Sequence, residues 1–230
     1  MGGKKLLRQL VLQTCVTAGL MALLLFAASG DWRWAQAWWF LAIFFAGSLV
    51  TGAWLSRADP GLLAARLEGP SRKGQPLWDR IFLLLIMAVW CGWLVLMALD
   101  AARWRLSHMP LWLNLLGGAL AAAGFAATMI VFRANTFAAP TVRVQAERQQ
   151  RVIDTGPYAL VRHPMYAAST LILLGMPLLL GSWLGLAAVP LFVVAIAVRA
   201  VFEERTLARD LPGYADYRRR VRWRLVPGLW

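Results

Sequence analysis

The chain has 230 residues, of which 60% are hydrophobic and only 15% are charged, well below the roughly one quarter of charged residues in an average soluble domain. The formal net charge of +13 would suit nucleic acid, but the basic residues lie in the short segments between apolar stretches, as membrane orientation requires. Composition therefore predicts an all-α integral membrane protein and argues against a nucleic-acid partner.

Histidine and cysteine are too scarce for a metal centre. The chain has two of each, and Cys15 and Cys91 lie far apart inside apolar stretches. This leaves no disulfide framework and no Cys-x-x-Cys motif. We therefore expect no metal ion in the protein.

Uncharged stretches of about 20 residues mark membrane-spanning helices. The first four expected spans are residues 9–30, 34–56, 81–99 and 106–132. The first has span length rather than the shorter apolar core of a cleaved signal peptide, so we predict a retained helix. A further uncharged stretch, 164–198, would make a helix of about 50 Å, too long for one crossing. Because "LLLGSWLGL" supplies a break near Gly181 and Ser182, we predict six spans, the last two forming a tight hairpin.

The basic residues predict how these spans are oriented. Six spans place both termini and the loops 57–80 and 133–163 on one side, and only three of the 24 Lys and Arg residues fall on the other side: Arg33, Arg103 and Arg105. Basic loops stay in the cytoplasm, so we predict cytoplasmic termini, with a bacterial inner membrane as the expected location. The chain then divides into residues 1–132, with four helices and the loop 57–80, and residues 133–230, with two helices and a basic tail.

The two cytoplasmic loops are more than connectors. The loop 57–80 mixes charges with Leu62, Leu63 and Leu67, a pattern that favours a segment lying along the membrane interface. The loop 133–163 is longer than a turn requires, and long loops inside compact domains are usually functional or disordered. Its alternating valines argue against disorder, so we expect a functional loop.

A polar cluster is predicted at the cytoplasmic ends of the last two spans. In "GPYALVRHPMY", Pro164 suits a first helical turn, and Arg162 and His163 precede it, where free backbone N–H groups favour anions. In "VRAVFEERTL", Arg199 and Glu203 share a helix face and Glu204 turns to another. The hairpin would bring together Arg162, His163, Tyr166, Arg199, Glu203 and Glu204. The alternative is that these residues only anchor the protein to lipid headgroups.

These motifs resemble those of a known family. "GPYALVRHPMYA", the pair Glu203 and Glu204, and "GYADYRRRVRWRLVPGLW" are similar to the isoprenylcysteine carboxyl methyltransferase family, a group of integral-membrane enzymes related to phospholipid methyltransferases. The resemblance covers about residues 133–230. It implies S-adenosylmethionine as the cofactor, held at the cytoplasmic face by the RHPxY motif and the double glutamate.

The resemblance also implies roles for individual residues. Arg199 matches an arginine beside the reacting group of the substrate, and Glu203 matches a glutamate that contacts the cofactor, so these two are the expected catalytic residues. One departure from the motif is Ala167, where glycine is frequent. The expected cofactor-binding residues are Gln145, Val152, Ile153, Tyr158, Arg162, His163, Pro164, Met165, Tyr166, Glu203 and Glu204.

The expected acceptor is a lipid-like or isoprenoid small molecule that arrives from the surrounding membrane lipids. Carboxyl, amine and thiol acceptors stay open, although Arg199 mildly favours a carboxylate. The alternative function is a non-catalytic transporter or scaffold, but a transporter should have polar or broken helices at mid-membrane, and the polar cluster lies at one face. Five arginines of the basic tail are expected mainly to contact lipid headgroups, and a lid over the site is the second interpretation. They are Arg218, Arg219, Arg220, Arg222 and Arg224.

Overall fold

The computed structural model describes residues 3–68 and 75–230, and within these ranges it is all-helical, without a β-strand. The prediction of an all-α protein is therefore confirmed. The helices of the first half are α1 (Gly3–Ser29), α2 (Ala35–Ala58), α3 (Pro60–Leu67) and α4 (Leu77–Ala98), which a short π-helix (Leu99–Arg103) extends. The helices of the second half are α5 (Leu111–Ala134), α6 (Pro164–Leu180), α7 (Trp183–Ala187), α8 (Val189–Asp210) and α9 (Tyr214–Arg220).

Five described helices are long and apolar enough to cross a membrane: Lys4–Ser29, Ala35–Ala58, Leu77–Arg103, Leu111–Ala134 and Trp183–Asp210. In their most apolar stretches only 17–28% of the residues are buried inside the protein, so most of these apolar side chains point outward, where lipid would cover them. Helix α6 coincides with the remaining predicted span, but it has only 17 residues, about 25 Å of helix. The chain is built as an integral membrane protein, and a sixth span stays a prediction.

The predicted break near Gly181 is confirmed. Gly181 ends α6 in the left-handed region at φ 81°, a conformation that glycine adopts without a steric penalty. Ser182 then begins α7, because its hydroxyl accepts a hydrogen bond from the N–H group of Gly185 at 2.8 Å.

The expected tight pairing of the last two spans is corrected, since α6 packs most closely against α5 rather than α8. A β-carbon at Gly117 would collide with the backbone of Leu179, and one at Gly175 would lie 2.6 Å from the carbonyl oxygen of Gly117. Small residues let two helix backbones approach each other in this way. The short helix α7 meanwhile separates the end of α6 from the start of α8.

Both chain termini lie at one end of the helix bundle. The start of α1 shares a hydrophobic cluster with the end of α2, with α3 and with the end of α5, formed by Leu6, Leu10, Leu55, Leu62, Leu63, Phe132 and Ala138. The C-terminal tail lies beside the start of α6, because the N–H group of Arg162 donates to the carbonyl of Trp223. We call the end of the bundle that holds both termini the basic end, and we call the other end the opposite end. This is the arrangement that the charges predicted, and its cytoplasmic orientation stays a prediction.

Helix α3 packs one face against other helices at the basic end. Asp59 caps it by accepting a hydrogen bond from the N–H group of Leu62 at 2.8 Å, and Leu62 and Leu63 are buried. These leucines pack against α1, α2 and α5, and the position of the segment along the membrane interface stays a prediction. Residues 69–74 of the predicted loop lie outside the described residues.

Candidate active site

A cavity of about 90 Å³ lies at the basic end, between the loop after α5, the first turn of α6, the end of α8 and α9. We call it the polar cavity, because arginine, histidine, tyrosine and glutamate side chains contribute to its wall. The predicted site residues that line it are Val152, Ile153, Tyr158, Arg162, His163, Met165, Tyr166 and Glu203.

Glu203 faces the polar cavity from α8. The hydroxyl of Tyr166 donates a hydrogen bond of 2.6 Å to Glu203 Oε2, and His163 Nδ1 lies 3.9 Å from the same oxygen. The imidazole of His163 stacks on the ring of Tyr166, with centroids 5.4 Å apart and planes inclined by 12°. The other carboxylate oxygen of Glu203 accepts no hydrogen bond from the described residues, so it is available to a ligand.

Glu204 has a different role from its neighbour. Its carboxylate is almost completely buried and accepts from Arg162 Nε at 2.7 Å and from Arg224 Nε at 3.2 Å. His163 Nε2 lies 3.2 Å away from it. Glu204 does not line the polar cavity. It therefore joins the motif at the start of α6 to α8 and to the C-terminal tail.

Carbonyl groups of the tail accept hydrogen bonds from the backbone N–H groups that were predicted to bind an anion. The N–H groups of Arg162 and His163 donate to the carbonyls of Trp223 and Arg224, each at 2.9 Å. The guanidinium of Arg162 also donates to the carbonyl of Val221 at 2.9 Å. The expectation that free N–H groups precede α6 is therefore wrong, because the tail satisfies them.

Arg199 pairs with a residue that sequence reasoning missed. Its Nε and Nη2 atoms lie 3.1 and 2.9 Å from Asp79 Oδ1, and Nη2 also donates to the carbonyl of Pro140 at 2.6 Å. Asp79 is fully buried near the start of α4. Glu203, one turn along α8 from Arg199, instead accepts from Tyr166. The signal for Asp79 in the sequence was an acidic residue beside an apolar span, where ionisable groups are costly.

Two further residues that were predicted to bind the cofactor, Gln145 and Pro164, stabilise the fold and do not line the polar cavity. The amide nitrogen of Gln145 donates to the carbonyl of Phe137 at 2.8 Å, and its oxygen accepts from Arg148 at 2.8 Å. Gln145 is buried and does not line the polar cavity. Pro164 occupies the first turn of α6, as predicted, and is buried there. Neither side chain is therefore a wall residue of this cavity.

Two polar groups in the wall of the polar cavity are buried without a partner among the described residues. They are the hydroxyl of Tyr214 and Nε of Arg143. Burial raises the pKa of Tyr214, so its phenol stays protonated and can donate. Buried polar groups are normally hydrogen-bonded, so each exception in a cavity wall points to a ligand. Tyr214 belongs to "GYADY", where its three-residue spacing from Tyr217 puts both on one helix face.

The other tyrosines of the polar cavity are held by hydrogen bonds. The hydroxyl of Tyr158 accepts from Asn135 Nδ2 at 2.8 Å, and burial raises the pKa of Tyr158 to about 12. The hydroxyl of Tyr217 donates to the carbonyl of Tyr158 at 2.8 Å. These contacts fix the loop before α6 against α9.

A second, larger cavity of about 590 Å³ lies among the membrane helices. We call it the apolar cavity, because α1, α2, α5 and α6 line it mainly with hydrophobic side chains. Met165 and Tyr166 belong to the walls of both cavities. Among the described residues, the charged side chains in the wall of the apolar cavity are Arg66 and Arg199.

Comparison with known proteins selects the same part of the chain. Residues 112–212 match the model of the phospholipid methyltransferase family. The match begins in α5, runs through the loop that lines the polar cavity and ends after α8. It includes the motif at 162–166 and both glutamates. The predicted similarity to membrane methyltransferases is thereby confirmed for this part of the chain.

One curated protein is also similar to the chain. It is the cobalt-zinc-cadmium resistance protein CzcN of Cupriavidus metallidurans, with 34% identity over 80 residues. The aligned part is 34% of this chain and 37% of that protein, so the likeness spans little more than a third of either. Within residues 3–68 and 75–230, no group of three or more His, Cys, Asp or Glu side chains is placed to hold a metal ion.

Proposed function

We propose that the protein is an integral-membrane methyltransferase that moves the methyl group of S-adenosylmethionine to a lipid-like acceptor at the cytoplasmic membrane face. One observation carries the proposal: the polar cavity and the apolar cavity share the wall formed by Met165 and Tyr166. A polar donor bound in one and an apolar acceptor bound in the other would meet at this shared wall. The family match of the same region supports the chemistry.

The residues of the polar cavity fit this cofactor. S-adenosylmethionine carries an ammonium, a carboxylate and ribose hydroxyls. Glu203 has a carboxylate oxygen that accepts from none of the described residues and suits the ammonium or the hydroxyls. Arg143 pairs with Glu147 through Nη2, and its buried Nε has no partner in residues 3–68 and 75–230, so it can donate to the carboxylate. The hydroxyl of Tyr214 is a further donor without a partner in the same ranges. Arg143 replaces His163 in this assignment, because Glu204 and the tail already engage His163.

The chain contributes alignment and exclusion of water to the reaction. The bound cofactor supplies a methyl group that its sulfonium already activates, so displacement requires alignment more than acid-base chemistry. Tyr166 is held in place by its hydrogen bond to Glu203, and Arg199 is held by Asp79 and Pro140. Arg199 lies 5.8 Å from the centroid of the Tyr166 ring, where it can orient the polar group of an acceptor. We propose no covalent enzyme intermediate.

Calorimetric titration of the detergent-purified protein with S-adenosylmethionine and S-adenosylhomocysteine tests the cofactor. We expect saturable binding by the wild type and a loss of about ten- to a hundredfold in affinity for Glu203→Ala, the effect of one hydrogen bond to a charged group. The matched control is Asp216→Ala, which removes an exposed carboxylate that pairs with the exposed Arg219 outside the cavity wall and should bind like wild type.

Transfer itself is tested with methyl-labelled S-adenosylmethionine and membranes that contain the protein. Label in the organic phase of a lipid extract, absent with Glu203→Ala, would support the proposal. A folded wild type that binds neither nucleoside would refute it, and the transporter or scaffold interpretation of the sequence would take its place.

A further inference from the structure

Arg66 occupies the junction of the two cavities. It projects from α3 into the wall of the apolar cavity, and its Nη1 atom donates to the carbonyl of Ala138, a wall residue of the polar cavity, at 2.8 Å. The same nitrogen lies 3.9 Å from the sulfur of Met165, which borders both cavities. Its guanidinium carbon lies 4.5 Å from the centroid of the Phe132 ring. Arg66 is therefore adjacent to the wall at which the proposed donor and acceptor meet.

No described carboxylate balances the charge of Arg66, in contrast to that of Arg199. Asp79 neutralises Arg199 through two hydrogen bonds. Arg66 has no carboxylate partner among the described residues, and its Nε and Nη2 atoms donate to none of them. Burial lowers the pKa of its guanidinium to about 10, which leaves it charged at neutral pH. An unpaired cation in an apolar wall is costly to the protein alone, and an anionic ligand would relieve that cost.

The apolar cavity extends away from Arg66 into the membrane region. Its wall continues along the middle of α1, α2 and α6 through Met21, Leu41 and Ile172. A ligand that fills this space therefore needs an apolar tail, with a polar head at Arg66 beside Met165. Arginine suits a carboxylate or a phosphate as that head, because its planar guanidinium presents two parallel donors.

We infer that Arg66 is a specificity-determining residue that binds a negatively charged oxygen headgroup, carboxylate or phosphate, of the lipid-like acceptor. The inference rests on the proposed methyltransferase function and narrows its substrate class. It assigns the negative charge of the acceptor to Arg66, whereas Asp79 already balances the charge of Arg199. Neutral and cationic lipids of the same chain length are then poor ligands of the apolar cavity.

Binding of four chain-matched probes tests the inference: hexadecanoate, hexadecyl phosphate, hexadecanol and hexadecylamine. Each is titrated calorimetrically into the detergent-purified protein saturated with S-adenosylhomocysteine. The variants are Arg66→Gln, Arg66→Lys and the control Arg57→Gln, which removes an exposed positive charge at the end of α2. We expect wild type to prefer the anionic probes, and Arg66→Gln to lose about ten- to a hundredfold in affinity for them alone. Arg66→Lys should retain part of the preference, and Arg57→Gln all of it.

The outcomes separate this inference from the proposed function. Equal binding of all four probes by wild type, or an undiminished anion preference in Arg66→Gln, would overturn the inference while nucleoside binding still supports a methyltransferase. Failure of wild type to bind S-adenosylhomocysteine would instead overturn the proposed function. Arg66→Lys is the control for misfolding, because it keeps the positive charge and a donor for the carbonyl of Ala138. A preference for hexadecanoate over hexadecyl phosphate identifies a carboxylate acceptor, and the reverse identifies a phosphate-bearing lipid.

Discussion

The two ends of the helix bundle each bury a carboxylate, and they surround it differently. At the opposite end, Asp100 is fully buried and accepts hydrogen bonds of 2.6 Å from the hydroxyls of Ser107 and Ser182. At the basic end, Glu204 is held by three basic side chains, and the adjacent Glu203 faces a cavity. Neutral hydroxyl groups donate to the carboxylate of Asp100, whereas positively charged arginines donate to the carboxylate of Glu204.

The comparison shows that buried polarity alone does not identify a functional site. Both ends contain buried polar atoms that have no partner in the described part of the chain, including Oδ1 of Asp100 and the hydroxyl of Tyr214. Tyr214 lines the polar cavity, whereas Asp100 lines neither of the two cavities described above. The Asp100 cluster joins the π-helix to α7, because Leu184 N–H also donates to it at 3.3 Å. Position beside a cavity distinguishes the candidate active site from a structural joint.

The largest expected effect is at the basic end. Glu204→Ala leaves Arg162 and Arg224 without their shared counter-ion, and breaking a buried pair in this way costs about 3–5 kcal/mol. We expect a much lower midpoint of SDS-induced unfolding in detergent, followed by circular dichroism. The control is Glu203→Ala, which loses one hydrogen bond and should weaken cofactor binding more than stability. Similar unfolding of Glu204→Ala and wild type would contradict the structural role of Glu204.

The corresponding change at the opposite end should be smaller and functionally silent. Asp100→Ala leaves the hydroxyls of Ser107 and Ser182 without an acceptor, a loss of about 2–3 kcal/mol of stability. Because the change lies at the far end from the polar cavity, we expect unaltered affinity for S-adenosylhomocysteine in the folded variant. Calorimetry and the same unfolding assay measure the two quantities. A large loss of nucleoside affinity would mean that the two ends are coupled.

The close contact between α5 and α6 gives a third comparison. Gly117→Ala places a β-carbon against the backbone of Leu179, and we expect a loss of about 1–2 kcal/mol from overpacking. The adjacent Gly118→Ala is the matched control, because its β-carbon would lie at ordinary contact distance, 3.4 Å, from Ile43. The unfolding midpoint should fall for the first variant only. Equal midpoints would show that α5 and α6 can separate without a penalty.

The smallest effects distinguish two tyrosines of the basic end. Tyr217→Phe removes the hydrogen bond to the carbonyl of Tyr158, so stability should fall by about 0.5–1.5 kcal/mol. Tyr214→Phe breaks no hydrogen bond of the protein, so its stability should be unchanged while its affinity for S-adenosylhomocysteine falls. Unfolding and calorimetry of both variants test this difference. If Tyr214→Phe lost stability and kept affinity, Tyr214 would not be a ligand residue.

Residue patterns predicted much of the candidate site. His163, Tyr166 and Glu203 line one cavity because a motif at the start of α6 and a motif near the end of α8 return to the same end of the bundle. The prediction that Glu203 and Glu204 face different directions is confirmed, since helical periodicity separates adjacent side chains. The free N–H groups before α6 were predicted wrongly, because the carbonyls that occupy them belong to Trp223 and Arg224 in the tail, far along the chain.

The sequence by itself determined the membrane character, the approximate spans, the break at Gly181 and the motifs of the basic end. Hydropathy, helix periodicity and glycine conformation are local properties, so they can be read from neighbouring residues. Only the tertiary structure decided that Arg199 pairs with Asp79, 120 positions away, that α6 packs against α5, and that Arg66 has no carboxylate partner within the described residues. Ion pairs and cavities depend on which distant segments meet, and no local pattern contains that information.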